Sequence, residues 1–477
     1  MPAGPTDEVP ALPAAAGRAL AVPPDLLDLP PEQMRSLGHH LVDLVVDHLT
    51  GLDQRPALSL IDADTLREVL GGPLPAGGSD LRAQLDLLAQ HAVPAQQHGD
   101  HPRYFARVPG PSSFAGILGE WLAVGTQTIA SSWGGGSGPT IVELIATEWL
   151  RDALGLDPHC EGVLQSGGSL ANLTALLTAR HHAGPGVVYL SDQTHASIRR
   201  DLTAIGWPAD EVRVIPVDPP YSLTAAAVTE AMVQDIAAGH RPAVVIATAG
   251  TTNTGAVDDL PGLADLSAEQ GGWLHVDGAY GAPAAMTPRG RAALAGLERA
   301  DSVVVDPHKW LFQPYDLACV LVRHPGALER TFAMHPEYLA DVQSGDVNLH
   351  NRSLELTRRG RAFKLWLTFR TYGVTALADA VDRGLGLAEY AQHTIEAHPD
   401  LCVVTPASLG IVTFRHPGAT DADHRRAAAD LTASGYAAVT TTLLADRTVL
   451  RLCTINPRTT TDDIDGTIAR LANGLAG

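Results

Sequence analysis

Six short β-branched runs recur between residues 186 and 323: GVVYLS, VRVIPV, AVVIATA, WLHVDG, SVVVDP and ACVLVR. Several are followed by stretches with helical spacing, such as SLANLTALLTARHHA. Runs that are apolar throughout, rather than alternating, suit strands buried on both faces. Their alternation with helices predicts a mostly parallel sheet. The expected fold is therefore α/β, with a mostly parallel central sheet, helices on both faces and a small C-terminal α+β domain. Residues 1–26 are rich in Pro and Ala and read as a disordered tail. Apolar residues at helical spacing from Met34 to Leu49, between Pro31 and Gly51, mark a helix. It opens a segment, 27–99, suited to packing on a second subunit. A large domain is expected over 100–375, with a polar, irregular lid at 331–356, and a small domain over 376–477.

Composition narrows the function. With 33 basic and 53 acidic residues the net charge is −20, which argues against a nucleic-acid or anionic-membrane partner. The cysteines (Cys160, Cys319, Cys402, Cys453) are scattered without a CxxC pair, so neither a metal site nor a disulfide framework is expected. Buried thiols in a reducing cytoplasm are the plain reading. The N-terminus lacks a signal peptide's basic start and apolar core. No apolar stretch reaches the roughly 18 residues of a membrane span.

Only two of the 33 basic residues are lysines, Lys309 and Lys364, leaving 31 arginines (33 − 2). Lys309 follows directly on one of the buried runs, in SVVVDPHKWLF. A lysine retained against such a bias is needed as an amine, which burial makes nucleophilic by lowering its pKa. Ligands of open α/β sheets sit beyond the carboxyl ends of strands, and further residues fall there. LQSGGSLANL places Gly168 and Ser169 where a helix begins, a seat for a phosphate or simply a capped helix. The same stretch approaches a serine-hydrolase elbow, but Ala171 stands at its last glycine. In WLHVDGAYG, Asp277 and Ala279 are two residues apart. A carboxylate there suits a protonated ring nitrogen, and a small residue admits a flat ring. YLSDQTHASI places His195 after another run. Each signal has a bland structural reading alone. Together they specify pyridoxal 5'-phosphate (PLP), with Lys309 as the amine that holds it.

The motifs SDQTHAS, TAGTTNTGAVD, HVDGAYG and DPHKW, in this order and spacing, resemble those of group II PLP-dependent decarboxylases, in the aromatic-L-amino-acid decarboxylase branch. The resemblance runs from about residue 27 to the C-terminus. It implies fold type I, an obligate homodimer with active sites at the subunit interface, and α-decarboxylation of an L-amino acid. Carried over motif by motif, Lys309 holds the cofactor, Asp277 pairs with the ring nitrogen, His195 stacks on the ring and Ala279 lies beneath it. Gly168 and Ser169 seat the phosphate, Thr251 sits near the cofactor and His308 precedes the lysine. Asp306, counted with the residues around the cofactor, stands where asparagine is frequent, and because a carboxylate beside phosphate is unfavourable it is expected to bond backbone or lattice groups instead. A substrate pocket is implied for Arg107, Val108, Pro109, Gly110, Ile129, Ser131, Trp133 and Leu349. Leu349 stands where the family's lid usually carries a tyrosine that acts as acid, and the nearest tyrosine, Tyr338, is eleven residues earlier (349 − 338). Aromatic or bulky apolar amino acids are the first expectation. Acidic or polar ones come second, because of Arg107. The alternative to amine formation is an oxidative, aldehyde-forming reaction motivated by Leu349.

Overall fold

The computed structural model describes residues 27–334, 337 and 346–475. The expected tail, Tyr338 and much of the expected lid lie outside them. The chain divides into two units, one of residues 27–51 with 61–95 and one of residues 52–60 with 96–475.

The first unit is helical. Helix Pro31–Thr50 starts on a proline, which lacks the N–H that a first turn leaves unpaired, and it buries none of its residues. Helices Ala63–Leu70 and Leu81–Leu87 are capped by Asp62 and Asp80, whose carboxylates accept from Thr65 N and Ala83 N at 2.9 and 2.8 Å. His40 Nε2 lies 2.6 Å from Asp86 Oδ1, joining the first helix to the third.

The second unit is built on a seven-stranded sheet. Its strands are β1 (Glu161–Gln165), β2 (Val187–Ser191), β3 (Val212–Ile215), β4 (Pro242–Thr248), β5 (Trp273–Asp277), β6 (Ser302–Val305) and β7 (Ala318–Val322). Their order is β1-β7-β6-β5-β4-β2-β3. Only β7 runs against its neighbours, so β1 to β6 all deliver their carboxyl ends to one edge. The six apolar runs are β2 to β7. Both faces are covered on β2 and β4 to β7, as their composition requires, while the edge strand β3 is only partly buried. Val303 and Val305 pack in one apolar cluster while Val304, pointing the other way, packs in a second.

A second, antiparallel sheet has the order β10-β11-β9-β8, from β8 (Cys402–Ser408), β9 (Ile411–Arg415), β10 (Thr440–Leu444) and β11 (Arg447–Cys453). It is backed by helices Asp421–Ala433 and Thr461–Leu475. The long helix Ala362–Ala397 leads to it and breaks at Gly373, whose φ of 75° suits glycine alone among common residues. The expected domain boundary at 375 falls two residues beyond that break.

Two buried ion pairs fix the elements around the sheet's carboxyl edge. Arg358 and Glu143 are both wholly buried. The guanidinium donates to Glu143 Oε1 at 2.6 Å and to the carbonyls of Ala130 and Leu164 at 2.7 Å each. Lys364, the second lysine, is also wholly buried, with Nζ 2.9 Å from Glu120 Oε2 and donating to the carbonyls of Asp316 and Pro314.

Candidate active site

A cavity of about 640 Å³ opens at the carboxyl ends of β1, β2, β4, β5 and β6. Lys309 reaches it from a single helical turn, Pro307–Trp310, that follows β6. The turn is anchored by Trp310, which is fully buried and stacked on Tyr280 with ring centroids 5.3 Å apart. Asp306 and Lys309 are three residues apart on this turn, so their side chains meet, with Asp306 Oδ2 2.9 Å from Lys309 Nζ.

That contact corrects two expectations. Burial pulls the Lys309 ammonium toward the neutral amine, but the charge and hydrogen bond of Asp306 outweigh it and hold its pKa above the ordinary lysine value. The side chain of Asp306 does not turn to backbone groups. It faces Lys309 and the Gly168 helix start, where a Cβ on Gly168 would come within 2.7 Å of Asp306 Oδ2. Close approach of the carboxylate therefore requires glycine at 168. His308 stands beside them, 3.5 Å from Asp306 Oδ2, with Nδ1 accepting from Leu317 N at 3.0 Å. Burial lowers its pKa to about 4, so the ring is neutral.

The neighbouring strand ends bring the other expected residues to the same cavity. Asp277 closes β5, is 6% exposed and accepts from Ala279 N at 3.1 Å. Ala279 lines the cavity with it. His195 follows β2 and caps helix Ala196–Ala204. Its Nδ1 accepts from Ser197 N at 3.3 Å and lies 2.9 Å from Ser197 Oγ. Filling Nδ1 in this way leaves Nε2 as the N–H face toward the cavity. Gly168 and Ser169 line it from the first turn of helix Gly168–Ala183. That helix has no side-chain cap, since its N-cap is Gly167, so Ser169 is available as a direct donor.

Thr251 is an exception. It is fully buried, its hydroxyl lies 2.8 Å from that of Thr254, and its neighbours Gly250 and Thr252 line the cavity instead. Thr252 was missed because adjacent threonines in GTTNTG differ only in which way the turn points them. Asn172, one turn beyond Gly168, and Thr248, at the end of β4, also line the cavity. Arg451 of β11 donates to the carbonyls of Thr252 and Arg107, a link between distant segments that carries no local sequence signal.

The implied substrate wall does not gather around Lys309 within one chain. Only Gly110 adjoins it: a Cβ there would lie 2.4 Å from the His308 carbonyl oxygen. Arg107 is exposed and donates to Gln97 Oε1 at 3.2 Å, while Val108 and Pro109 pack inward beside it. Ile129, Ser131, Trp133 and Leu349 form a group of their own. Ser131 O accepts from His350 N at 2.8 Å, and Trp133 N donates to Asn348 Oδ1 at 3.2 Å. Leu349 is fully buried there, and His350 is 3% exposed rather than solvated.

The cavity's residues fit PLP. They supply an amine for its aldehyde, a carboxylate at the neighbouring strand end for its ring nitrogen and a glycine-lined helix start for its phosphate. The buried Thr248 Oγ1 has no hydrogen-bond partner among the described residues and stands on the cavity wall, as a polar guest requires. Fold and cavity together define a PLP-dependent enzyme of fold type I. Residues 80–417 match the pyridoxal-dependent decarboxylase conserved domain. The chain is 42% identical over 453 residues to an aromatic-L-amino-acid decarboxylase from Bacillus atrophaeus, covering 92% of this chain and 94% of that protein. It resembles the solved structure of Oryza sativa TDC with PLP and tryptamine, with a TM-score of 0.89, 28% identity, and 94% and 98% of the two chains covered. For Rhodiola rosea 4-hydroxyphenylacetaldehyde synthase the TM-score is 0.86 at 26% identity, with the same coverage. The chain belongs to the pyridoxal-dependent decarboxylase family, and it is a PLP-dependent carboxy-lyase.

Proposed function

We propose that this enzyme removes the α-carboxyl group of an aromatic L-amino acid, releasing the amine and CO₂. The observation that carries the reading is the meeting of Lys309 and Asp277, from the ends of adjacent strands β6 and β5, in one cavity. The similarity to an aromatic-L-amino-acid decarboxylase supports the substrate class. A polar or acidic substrate is less favoured, because the guanidinium of Arg107 is engaged by Gln97.

When bound, PLP supplies the electron sink that makes loss of CO₂ feasible. Lys309 Nζ would be the amine that holds the cofactor through its aldehyde. Asp277 keeps the proton at the ring nitrogen. Ala279, lacking a long side chain, would leave room for the ring, and the Nε2–H of His195 would hold and orient the substrate's carboxylate. Gly168 and Ser169 hold the phosphate at the helix start, with Asp306 and His308 arranging the lysine.

The working form in this reading is a cytoplasmic homodimer whose second copy completes the substrate wall. Supporting it, Phe114, Leu118 and Leu122 are 39, 43 and 57% exposed at four-residue spacing on helix Phe114–Gly125, with Ile129 and Ile141 exposed nearby in sequence. The unburied helix Pro31–Thr50 and the separate grouping of Ser131, Trp133 and Leu349 fit the same arrangement. Four free cysteine thiols suit a reducing compartment.

The test is purified protein with PLP and a panel of L-amino acids, recording CO₂, amine and peroxide together. An aromatic substrate with CO₂ matched by amine supports the proposal. Preference for an acidic substrate would refute the substrate class. CO₂ matched by peroxide would favour the aldehyde-forming reading, which Leu349 and the similarity to the Rhodiola rosea synthase motivate.

A further inference from the structure

From Asp277 and Asn172 on the cavity wall, a row of buried polar side chains runs back into an otherwise apolar layer. Trp273, His275 and Asp277 alternate along β5 and so share one face. Ser302 of β6 pairs directly with His275, and Asn172 descends onto them from helix Gly168–Ala183. His275, Ser302 and Asn172 are 0, 1 and 1% exposed. The contacts run in sequence: Trp273 Nε1 to Ser302 Oγ at 2.9 Å, Ser302 Oγ to His275 Nδ1 at 2.9 Å, His275 Nε2 to Asn172 Oδ1 at 3.0 Å, and Asn172 Nδ2 to Asp277 Oδ2 at 3.3 Å.

The direction of every proton in this row is fixed by its ends. A carboxylate only accepts, so Asn172 must turn its amide nitrogen to Asp277 and its oxygen to His275. His275 must then donate from Nε2. Burial lowers its pKa to about 4, so the ring is neutral, and Nδ1 accepts the hydroxyl proton of Ser302. The indole N–H of Trp273, which only donates, supplies the oxygen of Ser302. Flipping the Asn172 amide sets donor against donor at His275 and acceptor against acceptor at Asp277, and moving the His275 proton to Nδ1 sets Nε2 against the Asn172 oxygen, acceptor against acceptor. One arrangement satisfies all four contacts. It is a costly way to fill an apolar layer that leucine and valine would fill without it.

We propose that Asn172 and His275 are positioning residues that hold Asp277 as a one-way terminus of hydrogen-bond donors, with one carboxylate oxygen taken by Asn172 and the group turned toward the cofactor's ring nitrogen. The proposal rests on the assignment of Asp277 as that nitrogen's partner. Ala279 N fills the other oxygen from the cavity side, so the carboxylate is braced at both atoms.

The test compares Asn172→Leu, His275→Leu, His275→Gln and Asp277→Ala in the full-length protein. Two readouts are taken: the Kd for PLP by equilibrium dialysis, and the pH midpoint at which the bound cofactor's visible absorption changes. Losing a hydrogen bond to a charged group should weaken PLP binding about tenfold in Asn172→Leu. The absorption midpoint should rise by about one pH unit, because a ring less firmly protonated at its nitrogen holds its other proton more tightly. His275→Leu should move both in the same direction by less. His275→Gln, whose amide N–H can still donate to Asn172, should restore both toward wild type. If Asn172→Leu does not accumulate as folded protein, Asn172→Ser carries the same comparison. Wild-type Kd and midpoint in the Asn172 and His275 variants, with both disturbed in Asp277→Ala, would overturn the proposal. If Asp277→Ala also leaves both unchanged, the assignment of Asp277 is what fails.

Discussion

Replacing Asp306 by asparagine tests how the amine of Lys309 is held. The two charges are 2.9 Å apart. At an effective dielectric constant near 20 their attraction is about 6 kcal/mol. The carboxylate is 2% exposed but the lysine side chain is 26% exposed, so water reaching the ammonium screens roughly half of this. The remaining ~3 kcal/mol favours the ammonium over the neutral amine. Because Asp306 is the largest influence raising the lysine pKa against burial, its loss leaves only Asp277 and Tyr315 opposing burial, and the pKa falls. More of the amine is then neutral at pH 8, and capture of an aldehyde should accelerate at least about tenfold. The assay mixes cofactor-free protein with pyridoxal, which lacks the phosphate, and follows visible absorbance from pH 7 to 9. Parallel runs with PLP separate this from the second effect of the substitution, removal of a negative charge beside the phosphate seat at Gly168. An unchanged rate and pH profile with pyridoxal would refute the reasoning.

Asp201 is 6% exposed, and its Oδ2 has no partner among the described residues; burial pushes its pKa up to about 6. A raised carboxyl pKa favours the folded state below about pH 4, and that advantage is lost as pH rises through 6. Asp201→Asn should therefore raise the unfolding free energy at pH 8 by an amount on the order of 2 kcal/mol, read by urea unfolding, and change it little at pH 4. Arg358→Met leaves Glu143 wholly buried without its cation and should cost about 3–5 kcal/mol in urea unfolding, most of it recovered by adding Glu143→Leu. Leu122→Glu places a charge on the exposed stripe of helix Phe114–Gly125. Light scattering should show a monomer with native circular dichroism and reduced decarboxylation, whereas an intact dimer would contradict the interface assignment.

The sheet was legible because burial on both faces forces apolar composition on β2 and on β4 to β7 whatever their partners, while the edge strand β3 carries the same β-branched residues only partly buried. Direction was not, since β7 has the same composition as its parallel neighbours and only its connection makes it antiparallel. β1 escaped notice because its three apolar residues are bounded by Glu161 and Gln165, and Glu161 is occupied in accepting from Gly326 N at 3.0 Å. At the site, Lys309, Asp277 and His195 stood out as reactive side chains at strand ends. What they do to one another depends on distances that composition does not carry. The spacing of Asp306 and Lys309 contained the clue that their charges meet, and it outweighs the burial that the lysine's isolation first suggested. The row behind Asp277 was hidden more deeply, because it joins β5, β6 and a helix about a hundred residues away in sequence.

That Lys309 is the residue to carry the cofactor is directly testable in a chain with two lysines. Protein loaded with PLP is reduced with borohydride, digested and mapped by mass spectrometry. The account predicts a pyridoxyl-phosphate adduct on the peptide containing Lys309, with none on that containing Lys364, whose amine is buried against Glu120 and two carbonyls. An adduct on Lys364, or on neither lysine, would contradict it.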